Sequence, residues 1–317
     1  MAATRVAAVD LGTNSTRLLV ADVEDGHVEE VVRRLRITRL GEGVDERRRL
    51  LPAPIARVRS CLRDYRRELE ALGATRTLAV ATSAVRDAEN GRAFLDDIES
   101  SYGLATRLLD GGEEAELTVR GVASGRAPLA PGTLVVDIGG GSTELVLVTE
   151  GGPPRSVSLD VGCVRLTERF LRSDPPTAAQ LEAAAEHVRS LLPPLPARAA
   201  IGVAGTVTTA ATLDEGAAEY DPRRTHGYRL PRASVERELA ALAALKNEER
   251  LRVPGIEPGR APVIVGGLVV LREVLDAYGL GEIEVSERDI LHGAALLAAE
   301  LAETEEEAAP RGALTRS

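Results

Sequence analysis

At 317 residues and 33.5 kDa the chain is longer than one compact core normally uses, so two lobes are expected. With 44% apolar and 28% charged residues it can bury cores and is not intrinsically disordered. A formal net charge of -10 argues against coating nucleic acid. The longest uncharged apolar stretch, Val263 to Leu271, is too short for a bilayer span, and no apolar secretory segment precedes Asp10, so membrane and secreted readings fall. Cys61 and Cys163 show neither a disulfide framework nor zinc spacing, which fits a reducing cytoplasm.

Apolar runs bounded by glycine alternate with helical periodicity, the pattern of an α/β protein. In chain order it predicts strands over 5–10 and 16–22, a helix over 54–72, a strand over 77–81, and helices over 91–102 and 113–124. Strands over 133–137 and 144–149, a helix over 177–192, a strand over 199–203, and helices over 262–278 and 287–303 follow. The segment 125–132, with Pro128 and Pro131, reads as an interlobe linker because proline and glycine stop both helix and ladder. The expected lobes are therefore 1–125 and 126–303, with a frayed tail over 304–317.

An internal repeat outranks these features. Asp10-Leu-Gly-Thr-Asn-Ser-Thr-Arg-Leu-Leu-Val20 aligns without gaps with Asp137-Ile-Gly-Gly-Gly-Ser-Thr-Glu-Leu-Val-Leu147, and each copy follows an apolar strand. Two related halves would place two similar turns across one cleft. Such a turn offers backbone N–H groups and hydroxyls to a phosphate oxygen: Asn14, Ser15 and Thr16 in the first copy, Gly139, Gly140, Gly141, Ser142 and Thr143 in the second. Asp137, at a strand end, suits a hydrated divalent cation. The copies differ where Arg17 faces Glu144 in the alignment. Arginine can grip phosphate, whereas glutamate would repel it unless it binds metal or steers water, so the pair suggests phosphoryl chemistry.

Further segments join this set. Ala81-Thr-Ser-Ala-Val-Arg-Asp-Ala-Glu-Asn90 offers Ser83 and Arg86 at a helix start, with Asn90 supporting an anion-binding loop. Gly111-Gly-Glu-Glu-Ala115 opens a helix with adjacent acids that would complement its dipole. Gly205 and Thr206 form a strand-to-helix glycine turn of the kind that shelves phosphate. Twelve arginines against six acids between Val31 and Glu70 read as a solvated face in preference to an anion track. The four histidines lack ligand spacing, and Cys163 reads as a small buried apolar residue.

Together with Ser-Glu-Arg-Asp-Ile-Leu-His-Gly at 286–293, these motifs resemble the exopolyphosphatase and guanosine pentaphosphate phosphohydrolase family, collinearly from Val6 to about Leu301. The resemblance implies an α/β, duplicated two-lobed actin-like ATPase domain with ribonuclease H-like halves and an interlobe cleft, the last helix packing back toward the first lobe. It further implies Mg²⁺ or another divalent cation and removal of the terminal phosphate of inorganic polyphosphate, or the 5′ phosphate of pppGpp, a stringent-response nucleotide. A cytoplasmic homodimer with no nucleic-acid or membrane partner completes the expectation. Carried over by residue, Glu114 is the general base and Glu144 its partner. Asp137 and Asp10 organise the cation, the amides of Asn14, Ser15 and Gly139 to Gly141 cradle phosphates, and Arg17, Ser83 and Arg86 neutralise the chain. Longer family members continue into a helical region that is absent after the second lobe here, so the chain resembles the short form. A non-catalytic sensor of pppGpp or polyphosphate and an actin-fold small-molecule kinase are the competing readings.

Overall fold

The computed structural model describes residues 3–301, so the expected tail over 304–317 lies outside the described residues. Five strands build the first sheet: β1 (Thr4–Leu11), β2 (Ser15–Glu24), β3 (His27–Ile37), β4 (Arg76–Ala81) and β5 (Ala105–Leu108), in the order β3-β2-β1-β4-β5. The first three form an antiparallel meander, and β4 and β5 join in parallel. The second sheet contains β6 (Thr133–Ile138), β7 (Thr143–Leu147), β8 (Arg155–Leu159), β9 (Ala199–Val203), β10 (Arg229–Pro231) and β11 (Glu282–Val285), ordered β10-β11-β9-β6-β7-β8. Its run β8-β7-β6-β9-β11 repeats the order and strand directions of the first sheet, with β10 added at one edge. The repeat seen in the sequence is thus a duplicated lobe, and the fold is the two-lobed actin-like one.

Central strands β1 and β6 are buried along nearly their whole length, because helices cover both faces of each sheet. The edge strands β3 and β8 escaped the sequence reading because they alternate poorly and expose many residues. Helix Pro52–Ala71 covers one face of the first sheet through Val58, Cys61, Leu62, Tyr65 and Leu69.

The opposite faces are bridged by two helices. Helix Gly111–Ala123, expected at the end of the first lobe, packs Ala115 and Val122 on Val135, Val146 and Ile201 of the second sheet. Helix Ile290–Glu300, reached from β11, packs Ile290, Leu291, Ala294 and Ala295 on Val6, Ala8, Leu19 and Val80 of the first. The two helices cross through glycines. A Cβ at Gly293 would stand 2.0 Å from the Leu117 carbonyl oxygen, and one at Gly121 would stand 1.9 Å from that of Asp289. Gly293→Ala should therefore lower the denaturant midpoint, corresponding to about 1–3 kcal/mol of lost stability. Gly281→Ala, whose Cβ would meet nothing within 4 Å, should leave the midpoint nearly unchanged.

Candidate active site

Both repeated turns close with the same bond: Gly12 N–H donates to Ser15 O at 3.0 Å, and Gly139 N–H to Ser142 O at 3.0 Å. They meet tip to tip between the lobes. A Cβ on Gly140 would come within 2.8 Å of Thr13 Cβ, and one on Gly141 within 2.6 Å of Ser83 Oγ, so glycine is what allows this approach. Beside the contact lies a cleft of about 70 Å³, room for a few water-sized groups. The first lobe lines it with Asp10, Asn14, Ser15, Arg17 and Ser83, and the second with Asp137, Gly139, Gly140, Ser142, Gly205 and Thr206. Glu114 enters from helix Gly111–Ala123, whose N-terminus is fixed by an Asp110–Glu113 capping box. Asn14 carries both amide atoms buried with no hydrogen-bond partner, a cost that a polar ligand would relieve.

Several residues expected to touch phosphate do other work. Thr16 Oγ1 bonds Thr38 Oγ1 at 2.9 Å and Thr143 Oγ1 donates to Val161 O at 2.6 Å; both threonines are buried pins outside the cleft lining. Gly141 faces the Thr13–Ser83 contact behind the cleft. Arg86 donates to Leu109 O at 2.8 Å and to Glu114 Oε2 at 3.2 Å, so it orients the carboxylate. Arg17 is equally committed, giving Nε and Nη2 to Asp10 Oδ2 at 2.9 and 2.7 Å and Nη1 to Asp289. Asn90 clamps both backbone groups of Leu50, which corrects its assignment to an anion loop. In the arginine-rich segment, Arg34, Arg36, Arg57 and Arg59 pair with Glu68, Asp64, Glu42 and Asp97, as a solvated face would.

Strand register explains the electrostatics. Asp10 lies directly across from Arg17 in the first hairpin, and Asp137 directly across from Glu144 in the second. Cross-strand neighbours stand about 5 Å apart at Cβ, so the first position holds an ion pair and the second two like charges. Burial, the Glu144 carboxylate and Asp137 hold Glu114 well above the usual range, Arg86 opposing them. Burial pushes Asp137 up to about 7 despite Arg17, with Asp289 and Asp10 adding to the rise. Burial and Asp137 push Glu144 up to about 8, although Ser158 Oγ donates to its Oε1 at 2.8 Å. Glu144 Oε2 and Asp10 Oδ1 are buried without partners.

Among the described residues no three His, Cys, Asp or Glu side chains form a ready metal cage. Magnesium does not demand one, since it typically takes one or two carboxylates with waters and substrate phosphates. A buried acid cluster only partly compensated by Arg17 and Arg86, with orphaned oxygens on Asp10 and Glu144, fits such a shared cation.

Other residues at the cleft carried no recognisable signal. Arg260 lies so close over Gly205 that a Cβ there would meet its Nη1 at 1.4 Å, and its surrounding Glu-Pro-Gly-Arg-Ala-Pro stretch reads only as a loop. Ala204, at φ +66, holds a backbone conformation rare for a side-chain-bearing residue at the start of helix Ala204–Asp214. Cys163 also lines the cleft, and burial pushes its thiol up to about 11, which argues against a nucleophilic thiolate.

Ppx/GppA phosphatase sequences match residues 19–300. The chain belongs to the Ppx/GppA phosphatase family. It is 42% identical over 316 residues to Exopolyphosphatase 2 of Mycobacterium tuberculosis, covering 93% of this chain and 99% of that protein. The crystal structure of an exopolyphosphatase-like protein superposes with a TM-score of 0.86 at 35% identity, covering 92% of this chain and 98% of the other. That of the Aquifex aeolicus Ppx/GppA family member gives 0.76 at 31% identity, covering 94% and 97%.

For this family member the raised carboxylates have a consequence for folding. A carboxyl whose folded pKa exceeds its unfolded value favours the native state while protonated, and that contribution is lost as pH rises through the folded value. For Glu144 the loss runs from its ordinary value of 4.5 up to about 8, and for Asp137 from 3.8 up to about 7. In chelator, the melting temperature should fall from pH 6 to pH 9. Glu144→Gln should flatten the upper part of that decline, and added Mg²⁺ should reduce it in the wild type.

Proposed function

We propose that the protein is an exopolyphosphatase, hydrolysing the terminal phosphoanhydride of inorganic polyphosphate by water attack. The observation that carries this reading is the buried Glu114, held by Arg86 on the wall of a cleft between two phosphate-type turns. Its raised pKa makes it a stronger proton acceptor than an ordinary carboxylate. The water oxygen bonds to the terminal phosphorus, its proton passes to Glu114, and the bridging P–O bond breaks with its electrons on the shortened chain. The turn amides of Ser15 and Gly140 would hold non-bridging oxygens with Thr206, the Gly139 amide being spent on Ser142 O, while Arg260 is the cleft arginine less engaged by carboxylates, its Nε standing 3.4 Å from Glu257. Mg²⁺, held by Asp137 and the unpaired Asp10 Oδ1, would neutralise developing charge. Glu144 sits below the cleft surface and raises Glu114 through its field.

One observation favours pppGpp as a second substrate. A cavity of about 360 Å³ shares Arg17, Ala204, Gly205 and Arg260 with the cleft and is walled by Leu35 and Tyr220, a setting for a nucleoside ring beside its phosphates. A homodimer in the cytoplasm belongs to the same reading on the family resemblance; among the described residues no helix is long and apolar enough to cross a membrane.

Phosphate release from polyphosphate of defined length, with pppGpp alongside, tests the assignment. Glu114→Gln should lose about 10²–10⁴-fold in kcat while keeping substrate affinity within a few-fold. Wild type that binds polyphosphate yet releases no phosphate from either substrate would establish a sensor and overturn the enzymatic reading.

A further inference from the structure

We infer that Asp289 is a positioning residue that, acting through Arg17, keeps one oxygen of Asp10 available to a divalent cation. The inference rests on the reading of Asp10 as a cation-facing group. Asp289 is only 2% exposed and stands where the chain leaves β11 to begin helix Ile290–Glu300, the segment that returns from the second lobe to the first. Its Oδ1 accepts from Leu291 N–H at 3.0 Å, an ordinary helix cap that an asparagine or serine would also supply. Its Oδ2 does something a cap does not require: it receives Nη1 of Arg17 and, at 3.3 Å, Nη2 of Arg33.

The geometry of Arg17 gives that second oxygen its meaning. A guanidinium beside a lone carboxylate prefers a fork in which two nitrogens each meet a different oxygen. Here Nε and Nη2 both converge on Asp10 Oδ2, and the third nitrogen is tied to Asp289. Asp10 therefore lines the cleft with Oδ1 buried and without a hydrogen-bond partner. Releasing Nη1 would let Arg17 turn, either to engage both oxygens of Asp10 or to reach a bound phosphate. The first consumes the cation's oxygen; the second tightens the ground state without helping the reaction. Asp289 blocks both, and it does so from the crossover between lobes.

The experiment compares wild type, Asp289→Asn and Asp289→Ser, both of which retain a capping oxygen. Mn²⁺ binding without substrate is followed by electron paramagnetic resonance, and kcat and KM are measured on polyphosphate. Losing a partner that orients a metal ligand typically costs 10–100-fold, so Mn²⁺ affinity and kcat should each fall at least about tenfold, with KM unchanged or lower. In Arg17→Gln the further change Asp289→Asn should add less than about twofold, since the route through Arg17 is already cut. Unaltered Mn²⁺ affinity in both Asp289 variants, or losses that simply multiply with that of Arg17→Gln, would overturn the inference. Unaltered Mn²⁺ affinity in Asp10→Asn would remove its premise and refute it too, while leaving the Glu114→Gln test of hydrolysis to stand by itself.

Discussion

Everything in the cleft depends on what stands across the hairpin from each repeated aspartate. The two lobes use the same strand, the same turn and the same Gly–Ser backbone bond, yet Asp10 faces arginine and Asp137 faces glutamate. Removed from water, a like-charged pair costs far more than it would at the surface, and Asp137 has no arginine directly across its hairpin as Asp10 has Arg17. Burial and the neighbouring carboxylates raise the pKa of Asp137, Glu144 and Glu114 together. A site of that kind is prepared for a cation and for a proton acceptor, the two things that hydrolysis of a polyanion needs.

A second constraint is that the two halves must be held face to face. Helices Gly111–Ala123 and Ile290–Glu300 each bring residues from one part of the chain to the sheet of the other lobe, crossing at Gly121 and Gly293. Ion pairs reinforce the approach on the far side of the turns: Arg169 Nη2 reaches Asp45 at 2.5 Å, and Arg165 bridges Asp45 and Asp87. His292, fully buried near the crossover, completes the joint through Glu30 at 2.9 Å. Burial opposes a charge on His292, but its bonds to Asp289 and Glu30 outweigh this and raise its pKa. The cleft is therefore walled on one side by contacts between lobes and continues on the other into the larger cavity.

Much of the fold was legible because its information is local. Buried central strands are apolar runs, the glycine-rich turns are strings of small polar residues, and the duplicated motif is visible by alignment alone. Of the site, Asn14, Ser15, Asp137, Gly139, Gly140, Gly205 and Thr206 are legible in those strings, Asp10 and Glu114 follow from the family resemblance, and all line the cleft. Thr16 and Thr143 belong to the same strings but point elsewhere, because alternate residues of a strand face opposite sides of the sheet.

By itself, the sequence determined the duplication, the α/β class, the two turns and the family to which they belong, since each is written in contiguous residues. How the charges are used emerges only once the chain has folded. Arg17 and Arg86 serve carboxylates, Arg260 enters from an unremarkable loop, and Asp289 arrives across 272 positions of chain to share a guanidinium with Asp10. Such pairings arise from which buried charges end up within a few ångströms after two sheets and two crossing helices have closed on one another, and spacing along a chain does not encode that distance.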